Sequence, residues 1–288
     1  MKGILYVLLA EFCFAASSVV GKFVIIDSDI PGIQLTFFRF LFGSIIGFVA
    51  LKRAGESFRP VNVKMVAWRA VFNTISAMAF FMALEYTTVT NVNMLGLTYP
   101  LWVVIFAPLI IHEKFEWRNI FFVILALLGV YLVVRPDFQA INKGDMLAFI
   151  SGVSASVAVL ALRQARKTDS THVIVFYLMV TGLVVHLLVL FPMWKTPTSW
   201  QWVLVVLSAL LGVAAQLSIT QAYKFIEATR GSLISSSRIV MAGIMGVMFF
   251  SDDITTQLIA GGALILLAQF GMVSNRFRLV RRRSSDEL

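Results

Sequence analysis

The sequence predicts an all-α polytopic membrane protein with ten transmembrane helices, arranged as two inverted five-helix repeats. Three observations carry this expectation. Of 288 residues, 59% are hydrophobic and 14% charged, where soluble domains carry about 25% charge. Apolar stretches of about 20 residues, the length of a helix that crosses a bilayer, recur along the whole chain. The stretch from Ala83 to Glu113 aligns without gaps on Ala222 to Asp252, an offset of 139 (222 − 83), placing Tyr86 on Phe225.

Ten spans follow in order: 3–26, 31–51, 65–85, 89–111, 117–135, 145–164, 172–193, 200–223, 230–250 and 254–274. The first runs from Gly3 without a convincing small-residue cleavage site, so it reads as a retained helix and not as a signal peptide. The fourth carries Pro100 near its centre and Pro108 further on, each removing a backbone hydrogen bond that neighbours or a cavity must replace. It ends where charge returns at His112, Glu113 and Lys114. Five spans fall in residues 1–140 and five in 141–275, followed by a basic tail over 276–288. Five is odd, so the second set inserts upside down relative to the first. Phe37-Phe38 meets Phe176-Tyr177 at the same offset, and Lys22 meets Arg163 at 141 (163 − 22).

The net charge of +9 does not indicate nucleic acid, because the basic residues cluster between spans. Lys2, Lys52, Arg53, Arg59, Lys64, Lys114, Arg118, Arg163, Arg166, Lys167, Lys224, Arg230 and the tail arginines share one side; Arg135, Lys143 and Lys195 take the other. The positive-inside rule then places both termini in the cytoplasm. The single Cys13 excludes an intramolecular disulfide framework. His112-Glu113 is followed by Lys-Phe-Glu, so the zinc-protease HExxH fails at its second His. GxSxG and the phosphate-binding loop are absent from the sequence, so neither a cofactor nor ATP drive by this chain is expected.

Ionisable residues within spans are functional candidates, because burying charge in lipid is costly. Glu11 lies about 12 Å into span one on a helical stripe with Ala15, Ser18 and Lys22 that should face the bundle. It could bind a cationic group, carry a coupling proton, or pair structurally with a neighbouring arginine. Arg39 in span two could take a substrate anion or form an interhelical salt bridge. Arg238 in span nine shares a stripe with Gly231, Ser235 and Ala242 and aligns with Tyr99, beside Pro100. A mid-span arginine among serines needs an anion or a watery cavity; the alternative is pairing to Glu11 or Glu85. Arg69, Asn73 and Ser76 form one inward face of span three, where Arg69 lies close enough to the end to snorkel and Asn73 is a deeper pocket donor. Tyr99 and Trp102 flank the central proline and could stack on a ring or cation, and Gln216 is a candidate hydrogen-bonder. Gly43 and Gly47 form GxxxG, expected to serve internal helix packing.

These features resemble the EamA-like branch of the drug/metabolite transporter superfamily. The matching residues are Phe37-Phe38-Arg39, Ala83-Leu84, Tyr86-Thr87, Pro100, Glu113 and Gly129, and the resemblance covers nearly the whole chain. One departure is Ile239, which stands where a proline matching Pro100 is common in that family, so the sequence does not by itself support a symmetric hinge. The resemblance implies a secondary carrier in the bacterial inner membrane, working by alternating access, and not an enzyme. A cavity holding Glu11, Arg39 and Arg238 suits an amino acid or a derivative. Phe37-Phe38-Arg39, Arg69-Ala70 and Glu227-Ala228-Thr229 also look like S-adenosylmethionine carriers of obligate intracellular bacteria. The expected partners are the lipid bilayer, a small-molecule substrate and a coupled proton or counter-substrate. The alternative is a membrane-embedded enzyme acting on a lipid-linked substrate, which predicts catalytic groups gathered at one interface.

Overall fold

A computed structural model describes residues 1–26, 30–83, 86, 92, 95–96, 98–113, 116–134, 142–190, 193–250, 256–257, 259–268 and 270–271. Within these, helices α1 (Lys2–Ile26), α2 (Gly32–Ala54), α3 (Val63–Ala83), α4 (Tyr99–Ile110), α5 (Trp117–Val134) and α6 (Lys143–Ala165) come first. Helices α7 (Thr171–Leu190), α8 (Ser199–Ala222), α9 (Ala228–Ile234) and α10 (Ser237–Phe250) follow, and α11 (Ile259–Ala268) completes the set. Each of the ten expected spans carries helix, with span nine divided between α9 and α10. Among the described residues, six spans are long and apolar enough to cross a membrane, counting α9 and α10 as one.

Local chemistry sets the boundaries. Asn142 accepts from the Asp145 amide while Asp145 reaches back to the Asn142 amide, a reciprocal cap that starts α6; Thr198 and Gln201 do the same for α8. Gly55 stops α2 in the left-handed conformation (φ 62°), which lets its amide reach the carbonyls of Leu51 and Lys52. Helices α3 and α8 end at Ala83 and Ala222, the residues that the internal alignment superimposes, and both are fully buried.

The principal packing partners are α1 with α8, α3 with α6, and α2 with α7. Small residues make these approaches possible, as expected in lipid, where apolar side chains alone give helices no reason to associate. The Gly43-Gly47 motif lies on α7, where a Cβ at either position would press on Met179 or on the backbone of Phe176. Gly182 of α7 receives the Phe40 ring in return. Between α1 and α8, Ser17 Oγ donates to the Ser208 carbonyl at 2.7 Å and Ser208 Oγ to the Ser17 carbonyl at 2.8 Å. Between α3 and α6, Ser151 Oγ donates to the Ser76 carbonyl at 2.8 Å. Gly129 of α5 lies against the backbone of α11 at Gly261.

The two ends of the bundle are tied differently. At the end rich in Lys and Arg, the Asp169 carboxylate accepts the Val61 amide at 2.6 Å and the Asn62 amide at 3.0 Å. Arg166 Nε donates to the Thr220 carbonyl at 3.1 Å and its Nη2 to Gln221 at 3.0 Å. Burial lowers the Arg166 pKa, while the nearby Glu56 and Asp169 carboxylates act the other way. Glu56 receives Ser170 Oγ and lies 3.2 Å from His172 Nδ1. The Glu113 carboxylate accepts the Ala228 amide at 3.1 Å, closing the start of α9, and lies 3.6 Å from Arg163. A large apolar cluster fills the adjoining half of the bundle, drawing Val7, Ala10, Val66, Val103, Ala107 and Leu160 from α1, α3, α4 and α6. At the opposite end, Gln34 exchanges two hydrogen bonds with the Lys195 backbone, at 2.6 and 3.1 Å.

Candidate functional site

Span nine breaks at Ser235 and Ser236. The Ser236, Arg238 and Ile239 amides bond three residues back, to the carbonyls of Leu233, Ser235 and Ser236 at 3.0–3.2 Å. This tightened turn withholds from the Ser232 carbonyl the Ser236 amide that a regular helix would supply. A buried orphan carbonyl is costly, and Tyr99 satisfies it: its hydroxyl donates to Ser232 O at 3.2 Å. Tyr99 is the first residue of α4, at a similar tightened turn where the Thr98 and Leu101 amides bond the carbonyls of Leu95 and Thr98. The two interrupted spans therefore meet through one phenol. Ile239 does not remove the second interruption, because the serine run Ser235–Ser237 makes a turn where span four has Pro100.

Each interruption is met by a helix from the other half of the chain. Gly152 of α6 faces the break in span four: a Cβ there would stand 2.8 Å from the Leu95 carbonyl and 3.2 Å from Thr98 Oγ1. Glu11 of α1 faces the break in span nine. Its Oε2 lies 2.5 Å from Arg238 Nε, and its Oε1 is buried without a hydrogen-bond partner. The carboxylate is 1% exposed and the Arg238 side chain 40%. The guanidinium also sits 4.4 Å over the Phe14 ring, one helical turn from Glu11.

Arg238 interacts electrostatically with Arg39 on α2 and Tyr99 on α4 as well as with Glu11 on α1. Arg39 lays its aliphatic stem on Gly212 of α8 and has no carboxylate partner among the described residues.

The other candidates are placed less centrally. Ser235 is buried at the turn. Asn73 is half-buried on α3. Trp102 uses its indole N–H on Thr98 Oγ1 at 3.3 Å and packs edge-on against Phe149, so its ring is committed to the α4–α6 contact. Gln216 is buried and turned toward Thr220 of its own helix, at 3.5 Å. Glu85 lies outside the described residues. The polar stripe of span one does not stay inside: Ala15 is buried, but Ser18 and Lys22 are exposed, with Lys22 Nζ 4.0 Å over the Phe250 ring.

Arg69 is the residue that sequence reasoning undervalued. It does not snorkel; it is 5% exposed, and its Nε has no partner. It interacts electrostatically with Tyr99 and Tyr223, next to the same interruption. The available signal was its spacing with Asn73 and Ser76, which put it on the inward face of α3.

Comparison with known proteins fits this architecture. The sequence model of the EamA-like transporter family matches residues 1–135 and again residues 142–274. A pseudopaline exporter of Pseudomonas aeruginosa is 24% identical over 269 residues, covering 93% of this chain and 94% of that protein. The human solute carrier family 35 member G1 is 24% identical over 92% of this chain and 77% of its own length. An S-adenosylmethionine uptake transporter of Rickettsia prowazekii is 21% identical over 93% of this chain and 91% of that protein. One solved crystal structure of a protein matches with a TM-score of 0.79 at 19% identity, covering 96% of this chain and 98% of the other, a likeness of fold.

Proposed function

The chain belongs to the EamA-like transporter family, and on that premise we propose that it is a secondary active transporter of a small polar metabolite, an amino acid or amino-acid derivative. It works in the bacterial cytoplasmic membrane, with both termini inside, by alternating access of two inverted five-helix halves. The observation that carries this reading is the Glu11–Arg238 pair, one partner from each half, at the broken turn of span nine. Discontinuous spans near mid-membrane are where carriers place substrate. Arg238 is open enough to receive a carboxylate in the planar fork of its guanidinium. A substrate carboxylate would compete with Glu11 for that fork. The released Glu11 is then available to a substrate ammonium or to a proton.

Two further features support the reading. Exchanging the halves maps the α1–α8 contact onto the α3–α6 contact and returns the α2–α7 contact to itself, the pattern inverted repeats produce. The basic end is tied by the Asp169, Arg166 and Glu113 bonds over a filled apolar core, contacts that on this reading would shut a carrier on that side. The enzyme alternative predicts ionisable groups at one interface, whereas Glu11, Arg39, Arg69 and Arg238 all lie within the spans. A second substrate reading, S-adenosylmethionine, draws on the name of the Rickettsia relative.

The test is counterflow in proteoliposomes with a panel of labelled amino acids, nucleosides and S-adenosylmethionine. Saturable exchange of one compound, lost in Arg238→Ala, is expected; flux that does not saturate, or that Arg238→Ala leaves intact, rejects the carrier reading. A green fluorescent protein fused to the C-terminus should glow, and a dark fusion in a full-length, inserted protein overturns the orientation.

A further inference from the structure

We infer that the substrate is a net anion, carried along a ladder of three arginines, Arg39, Arg238 and Arg69, through the middle of the bundle. The inference rests on the carrier reading and names the charge class of its substrate.

The ladder follows from helix geometry. Helix α2 ends with Lys52 and Arg53, so it runs toward the basic end, whereas α3 and the α9–α10 span start there. At 1.5 Å per residue, Arg69 is about 9 Å from the start of α3, Arg238 about 15 Å from the start of α9, and Arg39 about 22 Å from the end of α2. The three guanidiniums therefore stand at successive depths. Arg238 stands beside Glu11 and over the Phe14 ring of α1, and Arg39 against Gly212 of α8, so the steps are set on different helices of the bundle.

The charges do not balance. Among the described residues Glu11 is the carboxylate at these depths, and Arg238 already engages it. Among the described residues, three cations and one anion leave a net charge of +2 (3 − 1) at these depths; Arg39 and Arg238 are part-buried, so the cost of burying charge falls mainly on Arg69, 5% exposed. Arg69 is the clearest sign that a ligand is missing from the balance: its Nε is buried, unpartnered and 5% exposed. Arg39, with its stem against Gly212 and its guanidinium 5.6 Å over the Phe40 ring, has no carboxylate partner among the described residues. A substrate with two or more anionic groups supplies the missing countercharge and can pass from one arginine to the next without losing all of its hydrogen bonds at once. A cationic ligand would instead add to the excess. Carboxylates and phosphate esters share the required chemistry.

The experiment is thermal unfolding of the full-length protein in an uncharged detergent, at matched ionic strength. The millimolar probes are glutamate, citrate, inorganic phosphate, adenosine monophosphate, glutamine, lysine and S-adenosylmethionine. The expected result is stabilisation by an acidic probe, carboxylate or phosphate, with apparent affinity about tenfold weaker in Arg39→Gln and in Arg69→Gln. Both variants are first checked for wild-type elution; if Arg69→Gln does not fold, Arg39→Gln decides. Stabilisation by glutamine, lysine or S-adenosylmethionine alone overturns the anion inference and leaves the carrier reading standing. Acid stabilisation unchanged in every folded variant also overturns it. No stabilisation by any probe counts against both.

Discussion

Glu11 and Arg238 lie 227 residues apart in the chain and meet at 2.5 Å, the carboxylate sealed at 1% exposure and the guanidinium open at 40%. The pair is lopsided: removing the arginine strands a buried charge, whereas removing the glutamate leaves a cation that an incoming anion can satisfy. Breaking a fully buried pair costs about 3–5 kcal/mol. The exposure of Arg238 brings the expected loss for Glu11→Ala to about 2 kcal/mol, with a larger loss for Arg238→Ala. The Glu11→Ala/Arg238→Ala double variant should be less destabilised than the sum of the two. Calorimetry in detergent measures the cycle, and strict additivity would show that the contact carries no coupling.

Tyr99→Phe removes the donor from the Ser232 carbonyl and keeps the ring. A buried carbonyl left without its bond costs about 1–3 kcal/mol. The variant should unfold at a lower temperature, and the α9–α10 turn should exchange its amide hydrogens faster than in wild type. Exchange that speeds up everywhere except at that turn contradicts the assignment.

Gly152→Ala places a methyl 2.8 Å from the Leu95 carbonyl, and backbone cannot swing aside as a side chain can. The expected cost is about 1–3 kcal/mol of overpacking. Transport should fall while membrane insertion persists; wild-type flux at wild-type stability would mean that α6 can move off span four freely.

Asp169→Ala removes the acceptor for the Val61 and Asn62 amides and should loosen the basic end. A Ser218→Cys reporter, in a Cys13→Ser background, lines the recess of about 690 Å³ beside Arg166 and Gln221. Its labelling by a membrane-impermeant maleimide from the basic side should accelerate in Asp169→Ala. An unchanged rate would show that these bonds do not hold the end closed.

The ten spans were legible because lipid demands long apolar helices, and composition reports that demand directly. Glu11 and Arg238 stood out for the same reason, as charge at depth. Arg69 was misjudged because distance along a helix shows how far a side chain is from water but not which neighbours cover it; here it is buried beside Tyr99 and Tyr223. The break in span nine was missed because a proline was the expected signal, and three consecutive serines produced the turn by other means. Trp102 looked like a stacking platform on one helix; only the approach of α6 showed that Phe149 already occupies it.

The packing order has a consequence for biosynthesis. The three principal contacts each join one helix from residues 1–135 to one from 142–274: α1 with α8, α3 with α6, α2 with α7. When the ribosome has delivered the first five spans, few of them have their final neighbours, and the glycine and serine faces that will touch α6, α7 and α8 stand open to lipid. Assembly therefore waits on the second half of the message. Two separately translated halves have every surface they need to find each other in the bilayer, whereas neither half alone has a core to close.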